Sequence, residues 1–302
     1  MATPSVFQVD TEDGWSLAVE HLPAQGEVRG AALLMHAMMV DRRSMLRAGF
    51  GPFLASQGWN VYAADFRGRG GSGKPPREGT RWSYDDLVFR DLPALVAGVR
   101  AHAGEQFLYL IGHSLGGHTG LAAAGSHAFE LPPDGYVLLS VNMWRPGLEP
   151  DWKRRALKRL QLELFAGMTW PRGYFPSRRL RMGPCDEPRP YVLDLARCWR
   201  RDSWSSADGV HDYDASMKQV AGPVLAVIGK GDTLMAHPVA ARNWTEQLGP
   251  ERADFWVVGR GDHQLDFDPD HMTVVTAEAS RPLWDAITNW MRRHGRRHGA
   301  TA

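Results

Sequence analysis

Short apolar runs recur along the chain, each closed by a glycine-rich or charged loop, and segments with helical spacing lie between them. Residues 6–9 and 15–19 flank Asp13-Gly14. An Asp-Gly pair between two such runs predicts a β-hairpin. Residues 30–36, 60–65, 107–111, 135–141, 223–229 and 253–258 are nearly continuous in apolar residues, the pattern of strands buried on both faces. Helices are predicted over 44–57, shaped or interrupted by Pro52 and stopped by Gly58, and over 83–102, 117–125, 238–248 and 280–293. Strands alternating with helices imply an α/β fold: a mostly parallel central sheet, right-handed crossovers and helices on both faces. Between 144 and 213 the alternation stops; tryptophans, arginines and prolines dominate, which predicts a helical insertion, a lid. The expected organisation is a core over 1–143, a lid over 144–213, the rest of the core over 214–294, and a disordered basic tail over 295–302.

Composition changes this picture little. A chain of 302 residues holds one large α/β domain with an insertion. A formal net charge of +1 gives no reason to expect a nucleic-acid partner. The two cysteines, Cys185 and Cys198, form neither a disulfide framework nor a metal box. The first residues lack a basic segment followed by an apolar one, and no apolar stretch is long enough to span a bilayer. The expectation is a cytoplasmic protein with no metal, no cofactor and no stable membrane span, acting on a small molecule; its oligomeric state is left open.

The candidate chemistry centres on residues 107–117, an apolar run leading into Gly112-His113-Ser114-Leu115-Gly116 and then a small-residue helix. A strand, a very tight turn and a helix lift the apical Ser114 above the sheet. Glycines on both sides are needed because the chain passes close to itself there. The helix N-terminus points N–H groups and its positive dipole end at the same place. Ser114 is therefore the candidate nucleophile.

A serine needs a base, and the base an orienting acid. Loops at the carboxyl ends of parallel strands share one rim, where ligands bind. Gly229-Lys230-Gly231-Asp232 follows one later strand and Gly259-Arg260-Gly261-Asp262-His263 the next. The expected triad is Ser114, Asp232 and His263, with His271, farther into the last loop, as the competing base. Asp262, Asp266 and Asp268 compete as acid but suit turns and caps better. His118 and His127 fall in the elbow helix and read as packed or solvated. The oxyanion donors are expected to be the backbone N–H groups of Leu115 and, from the loop after residues 30–36, Met38. His36, Met39, His113 and Trp144 are the candidate pocket residues.

With these residues in place, the chain resembles the α/β-hydrolase superfamily, in particular its lidded lysophospholipase-like, monoglyceride-lipase-like and proline-peptidase-like serine hydrolases. The resemblance rests on the Gly112–Gly116 elbow, the Asp65-Phe-Arg-Gly-Arg-Gly-Gly-Ser72 loop, Lys230-Gly-Asp232 and Gly261-Asp-His263. It implies an α/β-hydrolase fold, structural roles for Asp65 and Arg67, and cleavage of a carboxylic ester or related acyl compound through an acyl-enzyme. Acyl transfer with the same triad and a non-catalytic binding protein on the same fold are the alternatives. Ala37 stands where relatives carry glycine, which implies a narrower or shifted oxyanion loop. Basic residues exceed acidic ones between 145 and 204; they form either a solvated face or a steering field for an anionic substrate. The lid tryptophans with Phe165 and Phe175 are expected to pack it on the core.

Overall fold

The computed structural model describes residues 3–47, 49–249 and 253–295; positions 296–302, most of the expected tail, lie outside the described residues. An eight-stranded sheet runs in the order β1-β2-β4-β3-β5-β6-β9-β10. The hairpin β1 (Ser5–Asp10) and β2 (Ser16–Leu22) is antiparallel and joins antiparallel to β4 (Trp59–Ala64). From β4 onward every neighbour is parallel: β3 (Gly30–Met35), β5 (Leu108–His113), β6 (Gly135–Leu139), β9 (Val224–Gly229) and β10 (Ala253–Val258). β3, β5, β6 and β9 are buried along their whole length, which explains their unbroken apolar runs. The chain turns back on itself between β3 and β5, since β4 lies on one side of β3 and β5 on the other. Loops at such a switch point diverge and leave a crevice.

The helices depart from expectation where backbone chemistry intervenes. The segment 44–57 splits into α1 (Arg43–Leu46) and α2 (Phe50–Ser56), and Gly49 with φ 103° makes the break. Pro52 falls inside the first turn of α2, where a missing N–H costs no intrahelical bond. Ser83 caps α3 (Tyr84–Asp86) in a reciprocal box with Asp86. A five-residue π turn, Leu87–Asp91, then leads into α4 (Leu92–Ala103). Pro93, second in α4, has no N–H for the carbonyl four residues back, so the looser turn sits where that bond is missing.

α5 (Leu115–Gly125) follows β5. Between β6 and β9 lie α6 (Trp152–Met168), a two-stranded ribbon of β7 (Tyr174–Phe175) and β8 (Glu187–Pro188), α7 (Arg189–Arg201) and α8 (Tyr213–Ser216). Trp204 is fully buried against Trp244 and Tyr84, and Phe175 is fully buried too; Trp152 and Trp170 stay exposed. The core closes with α9 (Pro238–Thr245), α10 (Thr273–Thr276) and α11 (Arg281–Gly295). No helix among the described residues is long and apolar enough to cross a membrane.

Candidate active site

Ser114 stands between β5 and α5 with φ 49° and ψ −110°, a conformation that costs a non-glycine residue of the order of 1–3 kcal/mol. The flanking glycines are sterically required. A Cβ on Gly112 would lie 2.2 Å from the Gly117 nitrogen, and one on Gly116 would lie 2.4 Å from the Met35 carbonyl oxygen. The turn is fastened by Ser114 N–H donating to Leu139 O at 3.0 Å and Gly116 N–H donating to His36 O at 3.2 Å. Leu115 opens α5, so its N–H is among those with no acceptor inside the helix.

The loop after β3 brings Met38 and Met39 to the same place. The left-handed residue in it is Met39 (φ 62°), not Ala37, so alanine in place of glycine imposes no backbone strain there. Met39 is gripped from the insertion: its N–H donates to a Glu187 carboxylate oxygen, and its carbonyl accepts from Cys185 N–H at 3.0 Å. Glu187 also pairs with Arg69, both fully buried. Burial pushes the Glu187 carboxyl up, and the adjacent guanidinium opposes that rise. Nothing in the sequence pointed to Glu187, because it meets residues 39 and 69 only in three dimensions.

Asp65 and Arg67 tie the glycine-rich loop. Asp65 accepts from Arg42 N–H (2.7 Å) and Gly71 N–H (2.8 Å), and Arg67 donates to Asp91 (2.7 Å) and Asp13 (2.8 Å).

Asp232 follows β9 and is almost fully buried. One carboxylate oxygen accepts from Ala236 N–H at 2.9 Å; the other lies 2.6 Å from Nδ1 of His271. The partner is thus His271, and the expected base, His263, is placed elsewhere. The stretch after β10 makes a tight turn in which His263 (φ 48°) and Gln264 (φ 62°) are both left-handed. Asp262 fixes that turn by accepting from Gly259 N–H and from the Lys230 ammonium. The His263 ring packs on Trp256, 5.0 Å between centroids, and borders a separate hollow with Arg281 and Asp285. The chain then runs back across β9: Gly231 N–H donates to Pro269 O at 3.0 Å, and a Cβ on Gly229 would meet that oxygen at 1.9 Å. This passage delivers His271 to Asp232.

Two expected pocket residues are not among those that line the cavity at Ser114. His113 is fully buried, and its Nε2–H donates to the His271 carbonyl at 2.7 Å, which clamps the backbone that carries the imidazole. His36 is also fully buried; its Nδ1–H donates to Ala37 O and its Nε2 accepts from Phe66 N–H. Desolvation draws both rings down to about 3.

Ser114, Leu115, Met38, Met39, Trp144 and His271 line one cavity of about 340 Å³. Its remaining wall is mostly methionine, leucine and aromatic side chains from the core and from α6 and α7, with His118, Asn142 and Gln161 as further polar groups. None of the basic residues of the insertion lines it. Lys158 is buried against Glu149 (3.0 Å), Arg154 also reaches Glu149 (2.9 Å), and Arg200 pairs with Glu163. The steering of an anionic substrate therefore has no contact in the cavity to support it.

Residues 26–270 match the sequence profile of the serine aminopeptidase S33 family, a span that runs from just before β3 to the residue preceding His271. The chain belongs to this family of α/β-hydrolases. Lipase member N of Homo sapiens is 28% identical over 133 residues, 39% of this chain and 33% of that protein. Triacylglycerol lipase 2 of Arabidopsis thaliana is 31% identical over 133 residues, 38% and 32% of the two chains. The matches thus span about a third of the length of these curated relatives. The S33 chain also shares its fold with an esterase of Pyrococcus furiosus (TM-score 0.63, 17% identity, 97% and 91% of the two chains covered). A monoacylglycerol lipase of Paleococcus ferrophilus aligns with TM-score 0.60 and 17% identity over 92% and 99% of the two chains.

Proposed function

We propose that this protein is a serine hydrolase that cleaves a carboxylic ester with a neutral, largely apolar chain. Ser114 is the nucleophile, His271 the base and Asp232 the orienting acid. Ser114 Oγ attacks the ester carbonyl while His271 Nε2 takes its proton; Asp232 holds Nδ1–H and stabilises the imidazolium. The backbone N–H groups of Leu115 and Met38 hold the oxyanion. His271 then protonates the departing alcohol, and water attacks the acyl-enzyme with His271 again as base. Residues 144–213 act as a lid over the reacting groups. The observation that carries this reading is the 2.6 Å Asp232–His271 pair, whose imidazole lines the same cavity as a strained serine. The apolar lining favours an acyl chain over the ammonium group of a peptide N-terminus, which needs a carboxylate to receive it.

The test is Ser114→Ala. It should abolish turnover of a short p-nitrophenyl ester and labelling by a fluorophosphonate, with the melting temperature retained, since alanine keeps the same Cβ at the elbow. Full labelling of that variant would remove Ser114 as the nucleophile.

A further inference from the structure

His118 stands four residues after Ser114 on α5 and lines the same cavity. Ser114 is the non-helical N-cap of α5, and its carbonyl accepts from His118 N–H at 3.2 Å, so one turn of helix separates the two residues. The ring is held by groups whose donor roles follow from their chemistry. The Trp204 indole N–H can only donate, and it donates to Tyr84 Oη at 3.2 Å. Tyr84 is left to give its own hydrogen to His118 Nδ1, 2.8 Å away. The reverse assignment would leave the hydroxyl hydrogen of a buried tyrosine without an acceptor. Nδ1 is therefore the acceptor, and the neutral imidazole carries its proton on Nε2. Burial keeps the ring neutral by drawing it down to about 3.

The His118 ring stacks on Tyr84, 5.6 Å between centroids and 17° between planes, and stands edge-on to Trp204. With Nδ1 turned to Tyr84, the Nε2–H edge is what the ring offers to the cavity. The other residues lining that cavity include Leu115, Leu162, Phe165 and Leu195. A substrate that placed only methylenes there would leave the donor desolvated and unpaired.

We propose that His118 Nε2–H is a specificity-determining donor that selects esters carrying an ether, carbonyl or hydroxyl oxygen a few bonds from the scissile carbonyl on an otherwise apolar chain. The proposal rests on the ester-hydrolase reading above and goes further by naming a second polar point in the substrate. A site built around a fixed donor discriminates against the isosteric analogue that lacks the acceptor.

The experiment compares two isosteric pairs with the full chain: p-nitrophenyl 3-methoxypropanoate against p-nitrophenyl pentanoate, and 2-methoxyethyl butanoate against butyl butanoate. For each pair the kcat/KM ratio of wild type is divided by that of His118→Phe, which cancels the intrinsic reactivity of the oxygenated ester. The expected double ratio is about tenfold in at least one pair. A value below threefold in both pairs overturns the proposal. If His118→Phe does not fold, Tyr84→Phe decides, because the imidazole then has no partner to fix its tautomer. A fall of threefold or more in the same ratio supports the proposal, and a smaller one overturns it. Turnover of the pentanoate or butyl ester by wild type stands apart from this outcome, so the ester reading can survive the loss of the His118 proposal. Failure to turn over any of the four esters would overturn both.

Discussion

The elbow that carries Ser114 and the segment that carries His271 lie on one rim of the sheet, yet they are built in opposite ways. The elbow is local. Five residues, two of them glycines, fold against each other and the adjacent strands, and the close approaches of 2.2 and 2.4 Å leave that turn no room for side chains at Gly112 and Gly116. The histidine segment is assembled at long range. Eleven residues lie between Gly259 and His271, and the imidazole is placed by Gly231 N–H on Pro269 O, His113 Nε2–H on His271 O, and Asp232 on Nδ1. A site can thus draw one reactive group from a motif and its partner from a crossing of strand loops.

Substitutions at one glycine in each region sharpen this contrast. Gly112→Ala should be the more damaging to labelling, because its methyl meets Gly117 backbone within the turn that carries Ser114, whereas the Pro269 backbone met by Gly229→Ala belongs to a loop outside that turn. We expect loss of the folded elbow, with fluorophosphonate labelling abolished. Gly229→Ala should leave the elbow intact and push Pro269 away, lowering the labelling rate about 10- to 100-fold as His271 is displaced. Equal losses in the two variants would break the distinction.

Acid should act on both regions together. His36 behind the elbow, His113 behind the His271 segment and His118 on α5 are held by burial at about 3, whereas an unfolded histidine takes up its proton near 6.5. Between these values the unfolded chain binds more protons than the folded one, so stability falls as pH falls and is constant above about 7. Each histidine costs up to about 1.4 kcal/mol per pH unit. Asp91, pushed by burial up to about 6 despite Arg67, works the other way, as do the carboxyls of Glu187, Asp194 and Asp214, which burial also raises. The net expectation is a loss of the order of 1–3 kcal/mol between pH 6 and pH 5, read from urea unfolding midpoints. A flat profile from pH 7 to 5 would contradict the burial of these rings.

The same contrast explains what was legible in the sequence. The sheet strands, the β1–β2 hairpin and the elbow follow from patterns within a few residues of each other, and each was readable to within two or three positions. Asp232 stood in a short loop directly after β9, so its place on the rim was readable as well. His263 was favoured over His271 because it lies closer to the end of β10, but distance along the chain is a poor guide once a loop doubles back. One signal pointed the other way. Gly229 and Gly231 bracket Lys230 where another backbone must pass closely, and that backbone is residues 268–269. His118 was read as packed or solvated; its partners Tyr84 and Trp204 come from segments 34 and 86 residues away, and no local pattern joins them.

The central claim is that His271, not His263, serves Ser114, and the most direct measurement is the fluorophosphonate labelling rate of His271→Ala beside that of His263→Ala. The account predicts a loss of about 10²–10⁴ for His271→Ala and a rate within about threefold of wild type for His263→Ala, since its ring faces Trp256 and lies outside the cavity. A large loss at position 263 with near-normal labelling at position 271 would contradict it.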